Sequence, residues 1–266
     1  MNKIWPSFDA AVADIPDGAS VAVNFWGFPG VTQNLILALR NRGTKDLTLI
    51  INNWGTAPMP EEILVNPAIL LPQMKKLITS FFVSSPRLVD MYGIPSKEAE
   101  LEEKLEVEVM SHGILMARLH AAASGFGGFY SPVGVGTILE EGKEKRVIDG
   151  REYILEMPLK PDFGFVRAHK ADKYGNLVYL GVERGYNPVI AMASKVTIAE
   201  VDEIVEPEEL DPEAIVTPAI FVDRIVQIPE GGRGSYKDSM QKVHAFLSIE
   251  WIRPLVLRTK GKEAQR

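Results

Sequence analysis

A repeated alternation of strand and helix patterns restricts this chain to few folds. Residues 21–25 and 47–51 are short, apolar and rich in β-forming side chains. Between them, a glycine-containing loop leads into a helix pattern over 32–40, with Thr32 as the predicted N-cap and Gly43 as the predicted stop. Strand, loop, helix and strand in this order predict a βαβ unit.

The same alternation continues to the end of the chain. Strand patterns cover 77–83, 105–110, 196–205 and 219–226, and helix patterns cover 97–104, 114–123, 188–195 and 238–248. Most of the strands are apolar enough to be covered on both faces, which is typical of parallel sheets. We therefore predict one α/β domain with an open, mostly parallel sheet and helices on both faces.

Three turn-forming segments interrupt this pattern. Asp149-Gly150 lies between two strand patterns and predicts a β-hairpin. Tyr174-Gly175-Asn176 predicts that the strand at 163–167 turns back into 177–179. Residues 125–136 contain five glycines and predict a long, structured loop or a set of turns.

Composition excludes several functional classes. The chain has 266 residues, is 46% hydrophobic and has no cysteine, so it carries a globular core but neither disulfides nor a thiolate metal site. A net charge of −6 without a basic stripe argues against nucleic-acid binding. The longest apolar runs are too short to span a bilayer and the N-terminus does not have the pattern of a signal peptide, so we expect a cytoplasmic protein without a membrane segment.

Two loops at the predicted carboxyl ends of strands are candidate binding sites, because ligands of open α/β sheets bind there. Backbone N–H groups of Gly27 and Gly30, and the amides of Asn52 and Asn53, are suited to bind an anion or a carbonyl oxygen. The structural alternative is that the glycines only form turns and the neighbouring tryptophans only cover the core.

His112 follows the strand pattern at 105–110, where active-site groups gather, although an ordinary hydrogen-bonding role is equally compatible with its position. No two of the four histidines have metal-ligand spacing, so we expect no metal site. The acidic runs at 140–141, 200–206 and 208–209 are typical of solvated faces and turns, which predicts that Glu200 faces solvent.

In an ordered series of segments from about residue 9 to residue 226, the chain resembles the α subunit of family I coenzyme A (CoA) transferases of the 3-oxoacid type. The clearest segments include Asn52-Asn53-Trp54-Gly55, Arg167-Ala168-His169-Lys170-Ala171-Asp172, Tyr186-Asn187-Pro188 and Val222-Asp223-Arg224-Ile225-Val226.

This resemblance implies a NagB-like α/β fold for residues 1–226, with 227–266 as a C-terminal extension of unknown role. It implies that the partner is a β subunit, in an α2β2 heterotetramer. The reaction would move CoA from a 3-oxoacyl or related short-chain acyl-CoA to a carboxylate acceptor, with the CoA thioester as substrate and no permanently bound cofactor. The β subunit would supply the glutamate nucleophile, because its Ser-Glu-Asn-Gly-like motif does not occur in this chain.

The chain departs from the family pattern around the expected acyl site. The family's Gly-Gly-Phe-Gly run is Asn24-Phe25-Trp26-Gly27 here, and its Pro-Gln-Gly is Ser111-His112-Gly113. His112 thus replaces a glutamine and is a candidate catalytic base. A diverged acyl-CoA hydrolase, lyase or decarboxylase subunit on the same scaffold is therefore the alternative function, and an inactive binding subunit is a third. The predicted substrate-binding residues are Trp26, Gly27, Gly30, Asn52, Asn53, Trp54 and Gly113.

Overall fold

A computed structural model of the chain describes residues 2–25, 30–54, 65–82 and 105–247. The strands of this part are β1 (Ser20–Val23), β2 (Leu47–Ile51), β3 (Met74–Thr79), β4 (Glu106–Val109), β5 (Phe129–Ser131), β6 (Lys145–Ile148), β7 (Arg151–Glu156), β8 (Phe163–Asp172), β9 (Leu177–Val178), β10 (Val196–Val205) and β11 (Arg224–Gln227). Its α-helices are α1 (Phe8–Val12), α2 (Gln33–Arg42), α3 (His112–Ala123), α4 (Asn187–Ala193) and α5 (Tyr236–Leu247).

The main sheet has the strand order β11-β10-β8-β1-β2-β3-β4, with β9 attached to β8. All of its pairs are parallel except β8 with β9. The predicted open, mostly parallel sheet is therefore confirmed. Successive strands extend away from β1 in both directions, so the strand order reverses between β1 and β8. In open α/β sheets, ligands bind at such a switch point, outside the carboxyl ends of the strands.

Alternate side chains of β1 point into two apolar layers. Val21 and Val23 pack on the face covered by α1 and α2, and Ala22 packs on the face covered by α3 and α4. The period of two along a strand explains this separation. Helices thus cover both faces of the sheet, as predicted, and every strand near β1 is held from two sides.

The βαβ unit forms as predicted, with β1, α2 and β2 in order. Gly43 ends α2 in the left-handed conformation, at φ 78°, and its N–H donates to the carbonyl oxygens of Leu39 and Arg40. A side chain at this φ would be strained, which is why a glycine stops the helix well. Thr32 occupies the N-cap position, but its hydroxyl makes no capping hydrogen bond.

A second, antiparallel sheet has the order β5-β7-β6. The predicted hairpin is confirmed, because Asp149 and Gly150 both adopt positive φ, 51° and 77°, between β6 and β7. This combination matches the twist of a two-residue hairpin. The glycine-rich segment 125–136, predicted only as loop or turns, contains β5.

One predicted strand is wrong in part. Residues 219–226 begin with the 3-10 helix Ala219–Phe221, and only Arg224–Gln227 pairs with β10. Before that point the carboxylate of Asp223 accepts a hydrogen bond from the backbone of Thr197, which aligns β11 only from the next residue onward. The predicted helix at 97–104 lies outside the described residues. No helix in the described ranges is long and apolar enough to cross a bilayer.

Candidate active site

The carboxyl ends of four neighbouring strands lie side by side. The register pairs Val23 with Ile51, Ile51 with Thr79, and Thr79 with Val109. The next residue on each of the first three strands is therefore in one row across the sheet: Asn24, Asn52 and Ser80. Their side chains, with the start of α3 and the turn before α4, form the candidate site at the switch point.

Gly30 returns the loop after β1 to the sheet. Its carbonyl oxygen accepts hydrogen bonds from the amides of Asn24 and Asn187, both at 3.0 Å. A Cβ at Gly30 would lie 2.7 Å from the carbonyl oxygen of Glu183, and its φ is 84°. Both the close approach and the φ require glycine at this position. Asn24 and Asn187 were not predicted as site residues, although an asparagine directly after a buried strand is a usable signal.

Asn52 binds the backbone of the loop after β1. Its Oδ1 accepts a hydrogen bond from the N–H of Phe25 at 2.8 Å, and its Nδ2 donates to the carbonyl oxygen of the same residue at 3.0 Å. The side chain is buried. These contacts make Asn52 a positioning residue for the loop, and a contact between its amide and the substrate stays a prediction.

The remaining predicted loop residues are placed differently from one another. Asn53 has a buried Oδ1 that accepts no hydrogen bond from the described residues. Trp54 is 2% exposed and packs in the apolar layer of α1 and α2, which is the structural alternative for this tryptophan. Gly113 is exposed on the first turn of α3, and Trp26 and Gly27 lie outside the described residues.

His112 is the first residue of α3, which Ser111 caps by accepting a hydrogen bond from the N–H of Ile114 at 3.2 Å. The cap fixes the backbone of His112, and the Oγ of Ser80 lies 2.6 Å from its Nδ1. With Met116, Gly185 and Tyr186, the imidazole lines a cavity of about 250 Å³. The structure thus brings His112 to the predicted edge, beside two hydroxyl-bearing side chains, Ser80 and Tyr186, that were not predicted.

A buried ionic cluster lies beside this edge, on the α2 face of the sheet. Arg167 is 1% exposed, and its Nη2 lies 2.6 Å from Asp202 Oδ1 and 3.4 Å from Glu183 Oε1. His169 Nδ1 lies 3.0 Å from Asp202 Oδ2. Burial raises the pKa of Glu183. Although burial also acts on Asp202, the hydrogen bond from His169 and the charge of Arg167 hold the pKa of that carboxyl below its usual value.

The prediction that Glu200 faces solvent is wrong. Glu200 is fully buried, and its Oε2 accepts hydrogen bonds from the N–H groups of Asn34 and Leu35 in the first turn of α2, both at 3.0 Å. A helix N-terminus favours a carboxylate. Its Oε1 has no hydrogen-bond partner among the described residues. Burial raises the pKa of Glu200 to about 7, although Arg167 and the helix N–H groups act in the opposite direction.

The C-terminal segment packs against this cluster. Arg167 Nε donates to the carbonyl oxygen of Gly234 at 3.0 Å, and the N–H of Tyr236 donates to Asp202 Oδ1 at 3.1 Å. Asn34 donates to the carbonyl oxygen of Arg233 at 2.8 Å. The first part of the predicted extension is therefore joined to the sheet by polar contacts. In the described part of the chain, no three acidic or histidine side chains group as metal ligands would.

Comparison with known proteins supports the sequence resemblance. A sequence model described as "Coenzyme A transferase" matches residues 6–227. The α subunit of the 3-oxoadipate CoA-transferase of Pseudomonas putida is 44% identical over 228 residues, covering 86% of this chain and 94% of that protein.

Two solved structures share the fold. An acyl-CoA transferase from E. coli O157:H7, in a thioester complex with CoA, has a TM-score of 0.72 at 23% identity, and the match covers 89% of this chain but about half, 49%, of that one. A variant of the decarboxylase AibA/AibB has a TM-score of 0.67 at 25% identity, covering 98% of this chain and 100% of that one. With the match to the family extending over most of its length, the chain belongs to the coenzyme A transferase family.

Proposed function

We propose that this chain is the α subunit of a heteromeric CoA-transferase that moves CoA from a short-chain acyl-CoA to a carboxylate acceptor. The observation that carries the proposal is the 44% identity to the α subunit of a CoA-transferase, over 94% of the length of that protein. Family membership and the row of polar side chains at the switch point support it. The acceptor that this relative suggests for the first assays is 3-oxoadipate.

In this proposal the partner subunit supplies the glutamate that attacks the thioester, and this chain completes the site. The glycine loop that ends at Gly30 and the start of α3 form one wall for the acyl group. Enclosure between two subunits excludes water, which would otherwise hydrolyse the glutamyl-CoA thioester. His112 lines the cavity beside that wall and contacts the acyl group there, and Asn52 holds the loop in place.

The proposal is tested by producing this chain with and without the β subunit encoded beside it. We expect the pair to transfer CoA from succinyl-CoA to 3-oxoadipate or acetoacetate, and this chain alone to be inactive. Borohydride should trap a glutamyl thioester on the partner and none on this chain. If no short-chain acyl-CoA and carboxylate exchange CoA in the presence of both subunits, the proposal fails.

A diverged decarboxylase or hydrolase is the second candidate. It is favoured by the imidazole at the cavity, which provides a base that the family's glutamine lacks, and by the similarity to a decarboxylase over 98% of this chain. The variant His112→Gln separates the two functions. A transferase should keep most of its activity with glutamine there, whereas a base-dependent reaction should fall by about 100-fold or more. His120→Gln, an exposed histidine on the same helix, is the matched control.

A further inference from the structure

Ser80 connects the end of β2 to the start of α3. Its Oγ lies 2.6 Å from His112 Nδ1, and its hydroxyl donates to the carbonyl oxygen of Asn52 at 2.5 Å. No feature of the local sequence marks this serine, which directly follows β3. Three strand ends are thus linked, because the side chain of Asn52 in turn holds the backbone of Phe25.

The number of available protons decides the direction of the hydrogen bond between Ser80 and His112. A serine hydroxyl has one proton to donate. Two oxygen atoms 2.5 Å apart need that proton between them, because two lone pairs at this distance repel. The hydroxyl proton of Ser80 therefore belongs to the bond with Asn52, and its Oγ is left to accept. Nδ1 of His112 must be the donor.

Tyr186 acts in the same direction. Its hydroxyl donates to the carbonyl oxygen of His112 at 3.4 Å, so its oxygen, which lies 3.4 Å from Nδ1, is also left to accept. Nδ1 then faces two oxygens whose protons are committed to backbone carbonyls. A lone pair on Nδ1 would meet lone pairs on both.

We infer that Ser80 is a positioning residue that fixes the tautomer of His112, holding the proton on Nδ1 and leaving Nε2 as the nitrogen that engages the substrate. The tautomer follows from the contacts alone, and the role of Nε2 toward the acyl group rests on the proposed function. Neutral His112 then presents a lone pair at Nε2, as a base or hydrogen-bond acceptor, and protonated His112 presents a donor there. In both states Nδ1 keeps its proton and its partner, so the ring keeps its orientation.

The tautomer is tested on the full chain labelled with 15N-histidine. The His112 signals are identified by their loss in His112→Gln, and His120 serves as an internal reference. We expect the neutral ring to show a protonated Nδ1 and an unprotonated Nε2. Ser80→Ala should shift His112 toward the opposite tautomer or a mixture, and Ser80→Thr, which keeps the hydroxyl, should restore the wild-type spectrum. A wild-type ring protonated at Nε2, or a Ser80→Ala spectrum identical to wild type, would overturn the inference.

Kinetics of the two-subunit enzyme give the second readout. Ser80→Ala should lower kcat/KM by about tenfold, the scale of one hydrogen bond, with recovery in Ser80→Thr. Thermal unfolding of the variants checks that the loss is not one of folding. The two ways of failing are distinct: a wild-type pair without CoA transfer refutes the proposed function and leaves the tautomer intact, whereas an active pair with the wrong tautomer refutes only the role of Ser80.

Discussion

Replacing Glu200 by glutamine is expected to remove a large part of the pH dependence of stability between pH 4.5 and 7. Glu200 is fully buried, and only its Oε2 is hydrogen-bonded, to two N–H groups of α2. Arg167 on the adjacent strand supplies the nearest favourable charge, and it is shared with Asp202 and Glu183. The folded chain therefore holds the Glu200 proton to a higher pH than the unfolded chain does.

The magnitude follows from the two pKa values. The carboxyl group ionises near its usual value, 4.5, when the chain is unfolded, and burial raises the pKa of Glu200 to about 7 in the folded chain. Below pH 4.5 both states are protonated and the stabilisation by this group is fully present. As the pH rises through 7 it is lost, and at 1.36 kcal/mol per pH unit the loss in free energy of unfolding is about 3 kcal/mol.

Glutamine is a suitable replacement because it has nearly the same shape, cannot ionise, and keeps a carbonyl oxygen for the N–H groups of α2. Urea unfolding of both chains at half-unit steps from pH 4.5 to 8 gives the difference in stability, in which titrations shared by the two chains cancel. We expect Glu200→Gln to gain on the wild type as the pH rises. Glu203→Gln, on the same strand but with a half-exposed side chain, is the matched control. A constant difference between Glu200→Gln and wild type across this range would refute the reasoning.

Three further predictions use the same unfolding assay. Gly30→Ala should cost about 3 kcal/mol or more, because a Cβ would meet a backbone oxygen, whereas Gly18→Ala, at φ 80° in open space, should cost about 1 kcal/mol; equal costs would contradict the close approach. Asn52→Ala should cost about 3 kcal/mol, because the N–H and carbonyl groups of Phe25 lose their buried partner, and a cost within error of zero would remove its positioning role. Burial acts on Asp162, but hydrogen bonds from Lys195 and Ser20 lower its pKa to about 2, so stability from this carboxylate is lost only as the pH falls from 3.8 through 2; Asp162→Asn should show a smaller loss there, and an unchanged acid limb would contradict it.

The parts of the fold that the sequence predicts well depend on contacts close along the chain. The β1–α2–β2 unit follows from apolar periodicity and from Gly43, whose positive φ ends the helix whatever packs around it. The turn at Asp149 and Gly150 is predicted for the same reason, since two residues determine it. The strand predicted at 219–226 fails because its pairing depends on Thr197, which is distant in the sequence.

The ionic cluster could not be predicted because its members are separated along the chain and resemble surface residues one at a time. Glu200 lies in a strand with other acidic residues, and that local pattern predicts a solvated face. It is buried because α2 directs its free N–H groups at this position and Arg167 lies on the neighbouring strand. Only the pairing of β8 with β10 shows that an acid and a base meet inside the protein.

The strand-end asparagines show why a candidate site and its supporting structure are hard to separate in a sequence. Where β1 leaves the sheet, the backbone groups of Phe25 have no ladder partner, and buried groups of this kind need one. A side-chain amide offers a donor and an acceptor together, so Asn52 replaces the missing strand. An asparagine at such a position therefore serves the backbone first. The polar side chain that distinguishes one reaction from another at this edge is then His112, which the Asn52 carbonyl positions through Ser80.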